Sequence, residues 1–178
     1  RLQNLMNRML TPHQMPVYKK TNIHEILERV RSLILSEFST DITFIRDYDV
    51  SLPEFIMDRE KLIQAILNIA RNGAQAMKLN NQDDMKLSFI TRAERQIVFR
   101  KKKHATAIRI DIVDNGPGIK NELIDKIFFP LVTGNENGSG LGLSLAQNLI
   151  SLHQGMIDCH SVPGKTVFSI ILPIENNL

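Results

Sequence analysis

Little in this 178-residue chain is available for covalent or membrane-based stabilisation. A single cysteine excludes an internal disulfide framework, and the apolar, strand-like setting of Cys159 reads as a buried thiol in a reducing, cytoplasmic compartment. No run of about eighteen apolar residues occurs, which excludes a membrane-spanning helix. No signal peptide follows Arg1, and because the chain opens on arginine rather than methionine it is expected to be a piece of a longer one. There is no internal repeat and no low-complexity tract. Aromatic residues make up 6% and none interleaves the basic run Arg100-Lys-Lys-Lys103, so stacking against nucleic acid is not supported. That run concentrates the net charge of +3 and reads as a solvated hairpin tip. What is present, 43% apolar and 23% charged residues, suits a globular protein with one well-buried core.

Periodicity divides the chain into helices and strands. Leu2, Leu5, Met6 and Met9 recur at helical spacing before Pro12 and Pro16 close the segment. A second helix is expected from Asn22, a cap with Glu25 three residues on, to Glu37, with Ile23, Ile26, Leu27, Val30, Leu33 and Ile34 as its stripe. Residues 42–47 alternate as a strand, and Asp58 offers an N-cap to a long amphipathic helix carrying Leu62, Ile66, Leu67, Ala70 and Ala74. Strands are expected over 86–92, 96–101 and 106–113, a short helix over 121–127, a further helix over 144–153, and strands over 156–161 and 166–172. Helices beside a mostly antiparallel sheet predict an α+β fold, a two-layer sandwich.

Three segments carry candidate chemistry. On the long helix, Asn68 and Asn72 are four apart and Arg71 is three from Asn68, so they share a face. This is either an exposed polar stripe or a site where an amide oxygen meets a hard cation such as magnesium. The turn Asp114-Asn-Gly-Pro-Gly118 follows a strand, which would deliver its carboxylate to a cleft; alone, Asn-Gly is an ordinary turn signal. The loop Gly138-Ser-Gly-Leu-Gly142 opens into a helix, so it is either flexible punctuation or a phosphate cradle of free amides with close backbone approach. Phe128 and Phe129 precede Pro130 between turn and loop, and Thr166 lies in Gly164-Lys-Thr-Val-Phe168, where threonine is also simply a good strand residue.

In this order and spacing, these motifs resemble the GHKL family of ATP-binding domains, which includes sensor histidine kinases, DNA gyrase, Hsp90 and MutL. The resemblance implies a Bergerat-type sandwich over 21–178, with 1–20 as the end of an upstream dimerisation helix and its linker. It implies ATP and magnesium as ligands, with Asn72 holding the magnesium and Asn68 beside it. Asp114 would accept from the adenine amino group and so choose ATP over GTP, whose carbonyl a carboxylate repels. Gly116 and Gly118 would leave room for the base, and Gly138, Gly140, Leu141 and Gly142 would close over the phosphates. Thr166 would help bind adenine, and the stretch from Phe129 to Asn137 would be a mobile lid hinged at Phe128 and Phe129.

Hydrolytic members of the family carry a glutamate one turn before the magnesium asparagine. Asn68 stands there, and an amide cannot accept a proton at neutral pH, so the expectation moves from ATPase to histidine kinase. The nucleophile would be a histidine upstream of Arg1; His24, followed by Glu25, lacks the proline of an acceptor box. Ile45-Arg-Asp-Tyr-Asp49, Ser51-Leu-Pro-Glu54 and Gly134 through Leu149 are similar to the nitrogen-regulation (NtrB-type) branch. That similarity implies a homodimeric parent, an NtrC-like response regulator and a PII-like signal protein as partners, with no nucleic acid and no membrane. Departures are Gly73 for the usual alanine, Gln75 for lysine, and a lid, Thr133-Gly-Asn-Glu-Asn137, without a basic residue. Charge at the γ-phosphate would then fall to magnesium, Arg71 and Lys126, with weak ATP affinity or slow transfer expected. A GHKL ATPase and a non-catalytic nucleotide-dependent module are the alternatives.

Overall fold

The structure, a computed structural model, describes residues 15–38, 42–99, 102–134 and 139–174. Its elements run β1 (Tyr18–Thr21), α1 (Ile23–Phe38), β2 (Ile42–Asp47), β3 (Phe55–Asp58), α2 (Arg59–Leu79), β4 (Met85–Phe99) and β5 (Lys102–Asp114). Then follow α3 (Asn121–Ile124), α4 (Gly142–Leu152), β6 (Met156–Val162) and β7 (Lys165–Pro173). The main sheet has the order β2-β4-β5-β7-β6, with β2 parallel to β4 and every other pair antiparallel.

Alternation makes this sheet one-sided. In β5, Ile108, Ile110 and Ile112 are buried while Arg109 and Asp111 pair on the other face. The buried face meets Ile26, Leu27 and Val30 of α1, Leu62, Ile66, Ile69 and Ala70 of α2, and Ala146, Leu149 and Ile150 of α4 in one core. Burying each large aliphatic side chain is worth about 1.5–3 kcal/mol, so these stripes rather than local propensity hold the helices in place. The α+β two-layer sandwich is therefore the observed fold.

Most expected elements are present. Asn22 Oδ1 accepts the His24 N–H at 2.8 Å and opens α1, while Asp58 accepts the Lys61 N–H at 3.1 Å and caps α2. Three readings are corrected. The strands expected over 86–92 and 96–101 are one strand, β4, because pairing with β5 continues past the polar stretch at Ala93 to Ile97 opposite His104. Gln96 absorbs the irregularity with φ +50°. The short helix stops at Ile124 and gives way to turns. Finally, β1 and β3 form a separate antiparallel pair that periodicity did not reveal, since four residues are too few to alternate legibly. β1 begins at Tyr18, inside the segment read as linker; residues 1–14 lie outside the described ones. The basic run falls where β4 gives way to β5, and its residues 100 and 101 are also outside them.

Asp58 joins the β1–β3 pair to α2, because its second oxygen accepts the Val17 N–H at 2.8 Å. Replacing it (Asp58→Ala) removes a cap and this tie together. Urea denaturation is expected to show a loss of about 1–2 kcal/mol; a loss under roughly 0.5 kcal/mol would contradict the assignment.

Candidate nucleotide site

The site is assembled around the end of β5. Asp114 is its last residue, paired across the sheet with Leu87 of β4 and Thr166 of β7. The turn behind it is tied down on both flanks. Asn115 accepts the Lys86 N–H at 2.8 Å and donates to the Asp84 carbonyl at 2.7 Å. The Gly116 carbonyl accepts the Gly164 N–H at 2.9 Å, and Ser161 Oγ accepts the Ile119 N–H at 2.9 Å. Thr166 is buried, with its hydroxyl 2.8 Å from that same Ser161 Oγ. Gly118 adopts φ +83°, and a Cβ there would meet the Val162 carbonyl carbon at 2.9 Å. Backbone conformation and the β6–β7 turn therefore already require glycine at 118, before any base is considered.

The carboxylate of Asp114 is held between two glycines. Oδ1 accepts the Gly116 N–H at 2.9 Å, and a Cβ on Gly116 would lie 2.8 Å from it. Oδ2 faces Gly73 of α2, where a Cβ would also come within 2.8 Å. Gly73, which stands where the family resemblance expects alanine, thus leaves the space that the carboxylate occupies. Because Gly73 follows Asn72, this contact brings the Asn72 turn of α2 beside Asp114. Asn72 is exposed and Asn68 half-buried. Burial pushes the Asp114 carboxyl above the usual carboxylate range, and the Gly116 N–H pulls only part of the way back.

The glycine loop approaches from α4, which packs along α2. The N-cap of α4 is Leu141, which has no side-chain oxygen, so no side-chain capping bond closes this end of the helix. Gly140 has φ +66° and a Cβ there would lie 2.5 Å from the Leu131 carbonyl carbon; its own carbonyl accepts the Leu131 N–H at 2.9 Å. The turn at Leu131 and the glycine loop are thereby joined, with Gly142 open to its surroundings. Gly138 lies outside the described residues. Phe128 packs edge-on against Phe168, centroids 6.3 Å apart, and ties the turns after α3 to β7. Phe129 is 59% exposed, so only one of the two expected hinge anchors is seated.

Arg71 Nε donates to Glu37 on α1 at 2.8 Å, an ion pair at the α1–α2 surface. Lys126 is exposed on the turn after α3. Gly73, Met77 beneath Gly116, and Ser161 are the site residues that sequence reasoning missed. A glycine inside a strong helical pattern was the one available signal.

Residues 57–176 match the family described as "Histidine kinase-, DNA gyrase B-, and HSP90-like ATPase". The chain belongs to this ATPase-like family. It is 47% identical over 174 residues to the sensory histidine kinase/phosphatase NtrB of Vibrio alginolyticus, covering 98% of this chain and 49% of that protein. With the protein of the same name from Rhodobacter capsulatus it shares 37% identity over 160 residues, covering 89% of this chain and 44% of the relative. The chain thus spans about half the length, 49%, of the curated relatives it matches. Among solved structures, the mycobacterial sensor histidine kinase MprB superposes with a TM-score of 0.71 at 23% identity, covering 89% of this chain and 99% of that one. The histidine kinase ThkA, solved in complex with the response regulator TrrA, gives 0.70 at 22% identity, covering 98% and 48%. Family members and this chain share the same sandwich.

The folded state binds the Asp114 proton more tightly than the unfolded chain does. Its contribution therefore turns unfavourable as pH rises from the ordinary carboxylate range through the raised folded value, and stays so at neutral pH. Asp114→Asn, which keeps the shape and the acceptor for Gly116, is expected to raise the thermal midpoint at pH 7. The gain should vanish at a pH below the ordinary carboxylate range. An equal or lower midpoint at pH 7 would contradict the burial cost.

Proposed function

We propose that this chain is the ATP-binding catalytic domain of a cytoplasmic NtrB-type sensor histidine kinase. It would supply the γ-phosphate of ATP to a histidine on an upstream dimerisation domain, from which an NtrC-like response regulator takes it. A homodimeric parent and control by a PII-like signal protein belong to the same proposal. The observation that carries it is the buried Asp114 carboxylate, held by Gly73 and Gly116 one residue from the Asn72 turn, in a chain so similar to the NtrB proteins.

Each residue has a physical task. Asp114 Oδ1 is occupied by the Gly116 N–H, so Oδ2 is left to accept the adenine amino group. The uncapped first turn of α4, with Ser139, Gly140, Leu141 and Gly142, offers amides to the phosphates. Asn72 is the residue to hold magnesium, which when bound would neutralise phosphate charge. The fit rests on the donor itself: Asn72 is exposed, and its amide oxygen is a hard ligand suited to magnesium, which keeps several waters and takes phosphate oxygens. Thr166 acts through Ser161 to keep the adenine turn in register, and Asn68 extends the polar face of α2.

One feature favours phosphotransfer over hydrolysis: Asn68 stands one turn before Asn72 and cannot serve as a base for water. The acceptor is assigned to the upstream domain rather than to His24. His24 lies 3.0 Å from Thr91 Oγ1 and stacks on Tyr48 at 4.7 Å, which occupies it structurally. The non-catalytic reading is favoured only by the expected lid, whose residues Thr133-Gly-Asn-Glu-Asn137 include no cation.

The test mixes this chain with its upstream helical segment as a separate polypeptide, adds γ-labelled Mg-ATP, and follows protein label and free phosphate. Acid-labile, base-stable label on the upstream segment is expected; free phosphate without protein label would favour an ATPase. Asn72→Ala is expected to weaken Mg-ATP binding by roughly 10- to 100-fold with the fold intact, the equivalent of one interaction with a charged group. Unchanged affinity and magnesium dependence in calorimetry would remove Asn72 from the site.

A further inference from the structure

We propose that His153 is a positioning residue for phosphate binding: as a neutral imidazole it locks the C-terminus of α4 to the N-terminus of α2 and to β1. In doing so it sets where α4 delivers the glycine loop. The inference rests on reading that loop as the phosphate cradle.

His153 is the C-cap of α4, and both of its ring nitrogens are used. Nδ1 is 2.8 Å from the Leu149 carbonyl, which can only accept, so Nδ1 carries the proton. Nε2 is 3.0 Å from the backbone N–H of Asp58, which can only donate, so Nε2 carries the lone pair. The two partners together select one tautomer of the neutral ring. Asp58 is the cap of α2, and its carboxylate holds the Val17 N–H at the entry to β1. Tyr18 of β1 completes the joint: its ring meets His153 edge-on at 5.8 Å, and its hydroxyl donates to the Leu152 carbonyl at 3.1 Å. One imidazole therefore ties together the two helices that carry the proposed nucleotide contacts and the strand by which the chain enters the domain.

A helix C-terminus ordinarily favours a charged histidine. Here protonation would place a second N–H against the Asp58 N–H, and the joint would open. The titratable and charged groups around the ring are Asp58, whose carboxylate favours the proton, Lys61 on the first turn of α2, whose ammonium opposes it, and Tyr18. Burial outweighs the carboxylate and lowers the histidine below its ordinary value, in agreement with the neutral form. Rigid α4 transmits a shift at its C-terminus to the glycine loop at its other end, whereas adenine is read by β5 and does not depend on α4. Loss of the joint is thus expected to weaken phosphate contacts selectively.

The experiment titrates the 178-residue chain and its His153→Ala and His153→Gln variants with Mg-ATP and with adenosine by calorimetry, from about pH 8 to about pH 5.5. His153→Ala is expected to weaken Mg-ATP about tenfold and to leave adenosine within about twofold. Glutamine places a non-titrating oxygen near the Nε2 position. His153→Gln should therefore restore Mg-ATP affinity at the upper pH and remove part of the fall that the wild type shows in acid. Asp114 is common to all three proteins, so the difference between profiles isolates His153. Equal losses for both ligands, or none, would overturn the proposal, as would a His153→Gln profile parallel to wild type, which carries the test if the alanine variant does not fold. If wild type binds adenosine but gains nothing from the phosphates, the cradle reading fails and the proposal falls with it. If wild type gains and the variants match it, only the role of His153 fails.

Discussion

Burial of one face of α2 is the constraint from which the rest follows. Leu62, Ile66, Ile69, Ala70 and Met77 are withdrawn from water against the sheet, while α1 and α4 close on either flank. Non-directional apolar burial of this kind fixes the rotation of the helix about its axis, because turning it would return those side chains to solvent. Once rotation is set, Asn68 and Asn72 take the edge of the buried stripe, and Gly73 must face the end of β5. Arg71 is carried to the α1 side, where Glu37 takes it.

A buried carboxylate is the expensive part of this arrangement. Asp114 accepts one backbone N–H and lies buried beside Gly73 and Gly116, and that burial makes its charged form unfavourable. Proteins keep such groups where a ligand supplies the missing donor, and the adenine amino group has the right character. The turn that holds Asp114 is correspondingly overdetermined, by Asn115 on the β4 side and by Ser161 and Gly164 on the β6–β7 side. The polar groups of this turn orient the acid while leaving it one free direction.

Long periodic segments were legible in the sequence because burial imposes their period. The stripes of α1 and α2 and the caps at Asn22 and Asp58 appear where the pattern placed them. β1 and β3 were not legible, since a two-stranded pair of four-residue strands has no period to detect. Within the candidate site, the motif order singled out Asp114 and the glycine loop, which lie at the end of β5 and the start of α4, but side-chain direction lay beyond it. Arg71 shares a helix face with Asn68 by spacing alone, and its ion pair with Glu37 of α1 could not be read from that spacing. Gly73 is the converse case: an apparent defect in the helix acquires its reason from a contact with a residue 41 positions further along the chain.

The most direct test of the account compares Mg-ATP with Mg-ITP, which differ at the base by an amino group replaced with a carbonyl. If Asp114 reads adenine through the oxygen left between Gly73 and Gly116, calorimetry will show ATP binding at least about a hundredfold tighter, because ITP would set a carbonyl against a buried carboxylate. Affinities within about threefold of each other would contradict that geometry, and with it the assignment of this end of β5 as the adenine pocket.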